Sequence, residues 1–240
     1  MKKILTNYYN IFEYLGNWIL KTMKVFKIRP DYVIELSSSA VKRLTKTDKK
    51  IIRTYTKSLV DSSGKIDLKK FSEIVIPAIK KLMDPKKEAV CIATALYRSI
   101  KNSKEIVDLI KETTGLEVNI ISGNKEAELV GKAIMKEHPG RKLLVLDAGS
   151  MSTEICIFPG GYHRSYKNNH PMVLDKEVLD LKKSKDLLIV VTGETIYRMG
   201  RIINDPRTEL RWHTQLQTII NQIGVHPVVG TIATPGSGLL

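Results

Sequence analysis

The stretch Leu144-Val-Leu-Asp147-Ala-Gly149-Ser-Met-Ser-Thr153-Glu154-Ile-Cys-Ile157 reads as a strand, a tight turn and a second strand. The first strand delivers Asp147 at its end. Gly149 lets the backbone turn and approach a ligand without a Cβ in the way. The amides of Ser150, Met151, Ser152 and Thr153 can then face an anion, and the hydroxyls of Ser150, Ser152 and Thr153 add donors. An acid beside a phosphate repels it unless a divalent cation lies between them, so Asp147 points to Mg²⁺ or Mn²⁺. A plain hairpin turn rich in small residues would read the same way, so the decision falls to the rest of the chain.

Outward from this stretch, strand and helix patterns alternate. Tyr32–Leu36 reads as a short buried strand, followed by Ser37-Ser38-Ser39 and a strand-like region through Thr56. Phe71, Ile74, Val75, Ala78, Ile79 and Leu82 have helical period, with Pro77 expected to bend or divide that helix. Ala89–Ala93 is the next strand, and a helix from about Ser103 to Thr113 stops at Gly115. Leu116–Ile121 is again a strand, and Ser122-Gly123 opens a helix carrying Ala127, Leu129, Val130, Ala133 and Ile134. Beyond Ile157 the reading gives a polar connection from Pro159 to about Pro171 and a short helix near Lys176 to Leu181. The strand Leu187–Val191 follows, then a helix after Thr192-Gly193 and one more over Leu210 to Ile223, with an irregular tail from Gly224. No repeat of fixed period is visible. The alternation defines an α/β protein with mixed sheets.

The chain has 240 residues, 42% hydrophobic and 27% charged, which excludes wholesale disorder. Cys91 and Cys156 both sit in apolar runs, as buried thiols of a reducing cytosol would, so a cytoplasmic location is expected. The formal net charge of +14 suits polyanions. No helix-turn-helix, zinc-ligand spacing or aromatic-interleaved basic motif points to nucleic acid, which is not an expected partner. No stretch reaches the length of a membrane span. Ile4, Tyr8, Ile11, Phe12, Leu15, Trp18 and Ile19 form one apolar helical stripe. This helix would dock on the body of the protein or pair two copies as a homodimer; flat insertion at a membrane surface is the alternative.

Four blocks, in order, resemble the exopolyphosphatase and guanosine pentaphosphate phosphohydrolase (Ppx/GppA) family of the actin-like ATPase superfamily. They are Val90–Arg98 with Asn102, Val118–Ala127, the turn from Asp147 to Glu154, and Thr192-Gly193-Glu-Thr195-Ile-Tyr-Arg198. The resemblance implies a two-lobed actin-like (ribonuclease H-like) fold, with mixed sheets flanked by helices and the second lobe truncated. On that pattern residues 1–29 form the N-terminal helical extension, 30–128 the first lobe and 129–240 the shortened second lobe with its tail.

The resemblance also implies roles. Glu126 aligns with the catalytic glutamate that orients and deprotonates water. Glu154 would share water or metal binding with Asp147, with Glu35 as the acid of the first lobe. Arg98 would clamp phosphate oxygens. Gly149, Ser150, Met151, Ser152, Thr153, Ser38 and Ser39 would line the phosphate turns, with Gly193 and Thr195 at a helix start. The activity implied is release of phosphate from polyphosphate or guanosine pentaphosphate by metal-assisted attack of water. The alternative is a weak or inactive relative that binds phosphate or nucleotide as a sensor or scaffold.

The departures lie mainly in the first turn, Glu35-Leu-Ser37-Ser38-Ser39-Ala40. There Ser37 replaces a glycine, and a Cβ disfavours the positive φ expected at that position. Ser150-Met151 stands where a Gly-Gly pair is usual. Lys125 and Glu128 reverse the usual charges around Glu126, so Lys125 would lower the pKa of Glu126 or bind phosphate itself.

Overall fold

The computed structural model describes residues 30–167, 187–192 and 228–229. The expected helices at 1–29, 176–181, 194–203 and 210–223 lie outside the described residues, as do Gly193 and Thr195.

Among the described residues two five-stranded sheets organise the chain. The first contains β1 (Tyr32–Leu36), β2 (Ala40–Leu44), β3 (Lys49–Arg53), β4 (Ala89–Ala93) and β5 (Val118–Ile120). The second contains β6 (Lys142–Ala148), β7 (Ser152–Phe158), β8 (Tyr162–Lys167), β9 (Leu187–Thr192) and β10 (Val228–Val229). Their orders are β3-β2-β1-β4-β5 and β10-β9-β6-β7-β8. Each sheet opens with an antiparallel meander, and its first strand then pairs in parallel with the fourth. The second sheet is therefore a topological copy of the first, although no repeat shows in the sequence. This is the two-lobed mixed-sheet fold that the resemblance implies.

β1 and β7, each flanked by strands on both sides, are buried along their whole length, including the acids Glu35 and Glu154 that they carry. Against the first sheet pack α1 (Leu68–Leu82) and α3 (Ser103–Thr114), joined by Phe71, Val75, Ile79, Ile106 and Ile110 in one core with Ile34 and Leu36. Asp67 caps α1, its carboxylate accepting from the Lys70 amide at 3.1 Å. Pro77 stands inside α1 without dividing it. A short helix α2 (Ala95–Ser99) follows β4, and Gly115 ends α3 in the left-handed region at φ 76°.

The helix α4 (Gly123–Glu137) packs on the second sheet, burying Ala127, Val130, Ala133 and Ile134 against Leu143, Val145, Cys156 and Phe158. A Cβ built at Gly131 would lie 2.0 Å from Phe158, so only glycine admits this approach. The boundary expected between 128 and 129 falls inside this helix, whose apolar face contacts the second sheet as one piece.

Two expectations change in the second sheet. The connection from Pro159 contains β8, paired antiparallel with β7; its residues are half-buried or exposed, so its polar sequence carries little apolar signal. The tail contributes β10, which pairs with Val190 and Val191 of β9. Its two residues are too few to show a period.

Candidate phosphate-cleaving site

Both sheets present the same hairpin between their first two strands. In the first, the Ser37 amide donates to the Ala40 carbonyl at 3.0 Å; in the second, the Gly149 amide donates to Ser152 at 3.0 Å. Neither Ser37 nor Gly149 has a positive φ. The strain expected from Ser37 is therefore absent. Its Oγ accepts from the Ala40 amide at 3.2 Å and donates to the Ala40 carbonyl at 3.0 Å, closing the turn on itself. At Gly149 the constraint is contact rather than φ, since a Cβ would lie 3.0 Å from the Ser152 carbonyl oxygen.

The turn tips meet. Ser38 Oγ and Ser150 Oγ share a hydrogen bond of 2.5 Å. Met151, the bulky residue in place of a glycine, packs against the core of the first sheet. The Ser39 carbonyl is held by the amides of Thr54 and Tyr55, and that of Ser38 by Lys57. Ser152 and Thr153, expected in the phosphate turn, are instead buried residues of β7, leaving Ser150 and Met151 at its tip.

Behind the tips lie the acids. Asp147 and Glu154 are register partners on β6 and β7, and Glu126 stands in the first turn of α4. These carboxylates are 8%, 2% and 7% exposed. Burial first, then the Glu126 charge, pushes the Asp147 carboxyl up to about 7. Glu154 rises well above its ordinary value through burial, then Glu126 and Asp147, with Ser152 and Ser165 offsetting part of the rise. Glu126 also rises through burial, opposed by Arg98.

Arg98 Nη1 donates to Glu126 Oε2 at 2.8 Å and to the Ile121 carbonyl at 2.8 Å. The expected phosphate clamp thus holds the expected base in this arrangement. Lys125 is bound elsewhere, its Nζ reaching Glu128 at 2.9 Å while Lys132 takes the other Glu128 oxygen. The two lysines lower the Glu128 carboxyl to about 2, so Lys125 serves Glu128 rather than Glu126. Asn102 bridges to Ile66 by two hydrogen bonds, a fixing role for the local loop.

The sequence reading missed two residues at this site, Lys42 and Ser165, and the close contact that Gly123 makes. Lys42 of β2 donates to Glu35 at 2.6 Å, so the acid expected as a metal ligand already holds an ammonium. Ser165 of β8 donates to Glu154 Oε1 at 2.8 Å. Gly123 lies so near Ser165 that a Cβ there would come within 2.3 Å of the serine Cβ. The only signals for them were a basic residue opposite an acid and a glycine opening a helix.

Does a divalent cation fit here? Among the described residues no three His, Cys, Asp or Glu side chains stand together as an ion-holding group. Mg²⁺ needs no such cage, because it keeps several waters and takes one or two carboxylates plus substrate phosphates. Asp147 and Glu154 are hard oxygen donors paired in register; Glu126 raises the proton affinity of both, and Asp147 raises that of Glu154. That surplus of buried negative charge fits a cation.

Among the described residues no helix is long and apolar enough to cross a membrane. Comparison with curated protein sequences gives no match. Solved structures match in fold. The Aquifex aeolicus PPX-GPPA enzyme is 18% identical, with 87% of this chain and 97% of that chain covered and a TM-score of 0.63. The type II variant of the Aquifex aeolicus Ppx/GppA phosphatase is 23% identical over 75% and 74%, with a TM-score of 0.52. An exopolyphosphatase from Cytophaga hutchinsonii is 12% identical over 86% and 95%, with a TM-score of 0.54. The family model of the Ppx/GppA phosphatases matches residues 44–167, more than half of the chain. That span holds both turn-flanking strands of the second sheet, Arg98 and the three buried acids, and the chain belongs to the Ppx/GppA phosphatase family.

Proposed function

We propose that the chain hydrolyses a terminal phosphoanhydride of polyphosphate or of a guanosine polyphosphate. The observation that carries this reading is the pairing of the buried acids Asp147 and Glu154 in register on β6 and β7, with buried Glu126 of the first turn of α4 bearing on both. Family membership supplies the reaction class.

In this reading Glu126 accepts the proton of the attacking water, a task favoured by burial that raises its affinity for a proton. The water oxygen bonds to the terminal phosphorus, the bridging P–O bond breaks, and the shortened chain leaves as an oxyanion. Arg98 exchanges its Glu126 contact for phosphate oxygens as the substrate enters. Ser38 and Ser150 donate to the phosphate from the two tips in place of their mutual bond. Asp147 and Glu154 would hold Mg²⁺ or Mn²⁺, which supplies charge neutralisation at the phosphate oxygens. Glu35 stays outside that set, because Lys42 already balances it. The buried Cys91 and Cys156 thiols suit a reducing cytoplasm. A homodimer through the N-terminal stripe belongs to residues outside the described ones.

The experiment is phosphate release from polyphosphate and guanosine pentaphosphate with Mg²⁺, wild type against Glu126→Gln. Release by wild type alone is expected; equal traces from both proteins would end the hydrolase reading.

A second reading is a phosphate or nucleotide sensor or scaffold with little turnover. It draws on the resting arrangement, in which Arg98 holds Glu126 and the two serine tips hold each other. Calorimetric binding of the same ligands without phosphate release would favour it.

A further inference from the structure

Glu154 is flanked on β8 by its register partner Ser165, which is half-buried and donates to Glu154 Oε1 at 2.8 Å. On its other side the same serine abuts the first residue of α4, since a Cβ built at Gly123 would lie 2.3 Å from Ser165 Cβ and 2.5 Å from its Oγ. Glu126 stands three residues on, one helical turn from that contact and on the same face. One side chain thus touches the carboxylate of Glu154 and sets how closely the turn carrying Glu126 approaches β8.

We propose that Ser165 is a positioning residue that orients Glu154 through its hydroxyl and spaces the α4 N-terminus from β8 through its contact with Gly123. A carboxylate with one oxygen fixed by a hydroxyl presents the other in a set direction, which is how outer-shell partners tune a metal site. The contact with Gly123 explains why the helix begins on a glycine although its φ is not positive. The assignment rests on the reading of Asp147 and Glu154 as the cation-binding acids.

The test is Mn²⁺ binding to the full chain, read from the loss of the free-ion electron paramagnetic resonance signal. Wild type, Ser165→Ala, Glu154→Gln and the double variant are compared at one pH. Ser165→Ala is expected to weaken Mn²⁺ binding roughly tenfold. In the Glu154→Gln background the same change is expected to alter binding by less than about twofold, because the hydroxyl acts through Glu154. Gly123→Ala, which keeps the hydroxyl but forces α4 and β8 apart, is also expected to weaken binding. Ser165→Cys, close in size, serves the same comparison if Ser165→Ala does not fold. Binding by Ser165→Ala equal to wild type, or an equal loss in both backgrounds, would overturn the assignment alone. No Mn²⁺ binding by wild type would overturn the cation reading and the assignment with it.

Discussion

Across the first sheet one row of register partners runs Ile92, Glu35, Lys42, Ile51; at the matching strand positions of the second it runs Thr192, Asp147, Glu154, Ser165. The scaffold is the same, down to the 3.0 Å hydrogen bond that closes each turn. The chemistry differs. The first row carries its own cation on Lys42 between two isoleucines, so its acid is balanced internally. The second sets two acids side by side with hydroxyl residues at both ends; burial and Glu126 raise both acids, and Lys42 and Lys49 of the first sheet offset only part of the rise at Asp147. A duplicated fold has left one lobe with an acid and an ammonium at these positions and the other with two acids.

The largest expected effect removes the acid of α4 that bears on both acids of the second row. Glu126→Gln should lower phosphate release by about 10² to 10⁴, the usual worth of a positioned proton acceptor. A loss below tenfold in a kcat measurement would move the base elsewhere.

Next comes stability, where the two rows should answer with opposite signs. Lys42→Met removes the ammonium from a carboxylate 1% exposed and should cost about 3 kcal/mol in urea unfolding. Glu154→Gln removes one of two repelling acids, and without divalent cation its unfolding midpoint should rise. A fall in both variants would show that the rows are not electrically distinct.

The second row also sets a pH dependence. An aspartate titrates near 3.8 in the unfolded chain, and burial with the Glu126 charge pushes Asp147 up to about 7 in the fold. The folded protein therefore binds the proton more tightly than the unfolded chain. Its stabilising contribution is complete below about pH 4 and is lost as pH climbs through about 7. In thermal melts with chelator the midpoint should fall across that window, and Mg²⁺ should restore it most strongly at the upper end. Asp147→Asn should flatten both trends.

The smallest effect concerns the turns. Ser37→Gly would restore the glycine of the family pattern, yet the φ at Ser37 is not positive and its hydroxyl closes the turn. Its expected cost is about 1 kcal/mol, the net worth of a hydrogen bond plus glycine entropy. A gain in stability would show that the serine is strained after all.

Much of this site was legible in the sequence because its elements are apolar runs that end on acids. β6, β7, the α4 start at Ser122-Gly123 and the acid Asp147 at its strand end follow from local pattern, whereas Glu126 and Glu154 stand out only through the family resemblance, because a glutamate near a helix start reads locally as a solvated residue. β8 was not legible, because a half-exposed strand with tyrosine, arginine and serine lacks a clean apolar alternation, and Ser165 was lost with it. Lys42 and the partner of Arg98 were hidden for another reason. Both contacts depend on which strand or helix lies opposite, and the pairing of Arg98 with Glu126 spans elements that local spacing does not bring together. The topological duplication was invisible because the two rows share almost no side chains.

The difference between the rows is tested most directly by calorimetric titration of Mg²⁺ into wild type, Asp147→Asn and Glu35→Gln. One cation per chain is expected for wild type, lost in Asp147→Asn and retained in Glu35→Gln. Equal loss in both variants, or retention in Asp147→Asn, would contradict the placement of the cation on the second row.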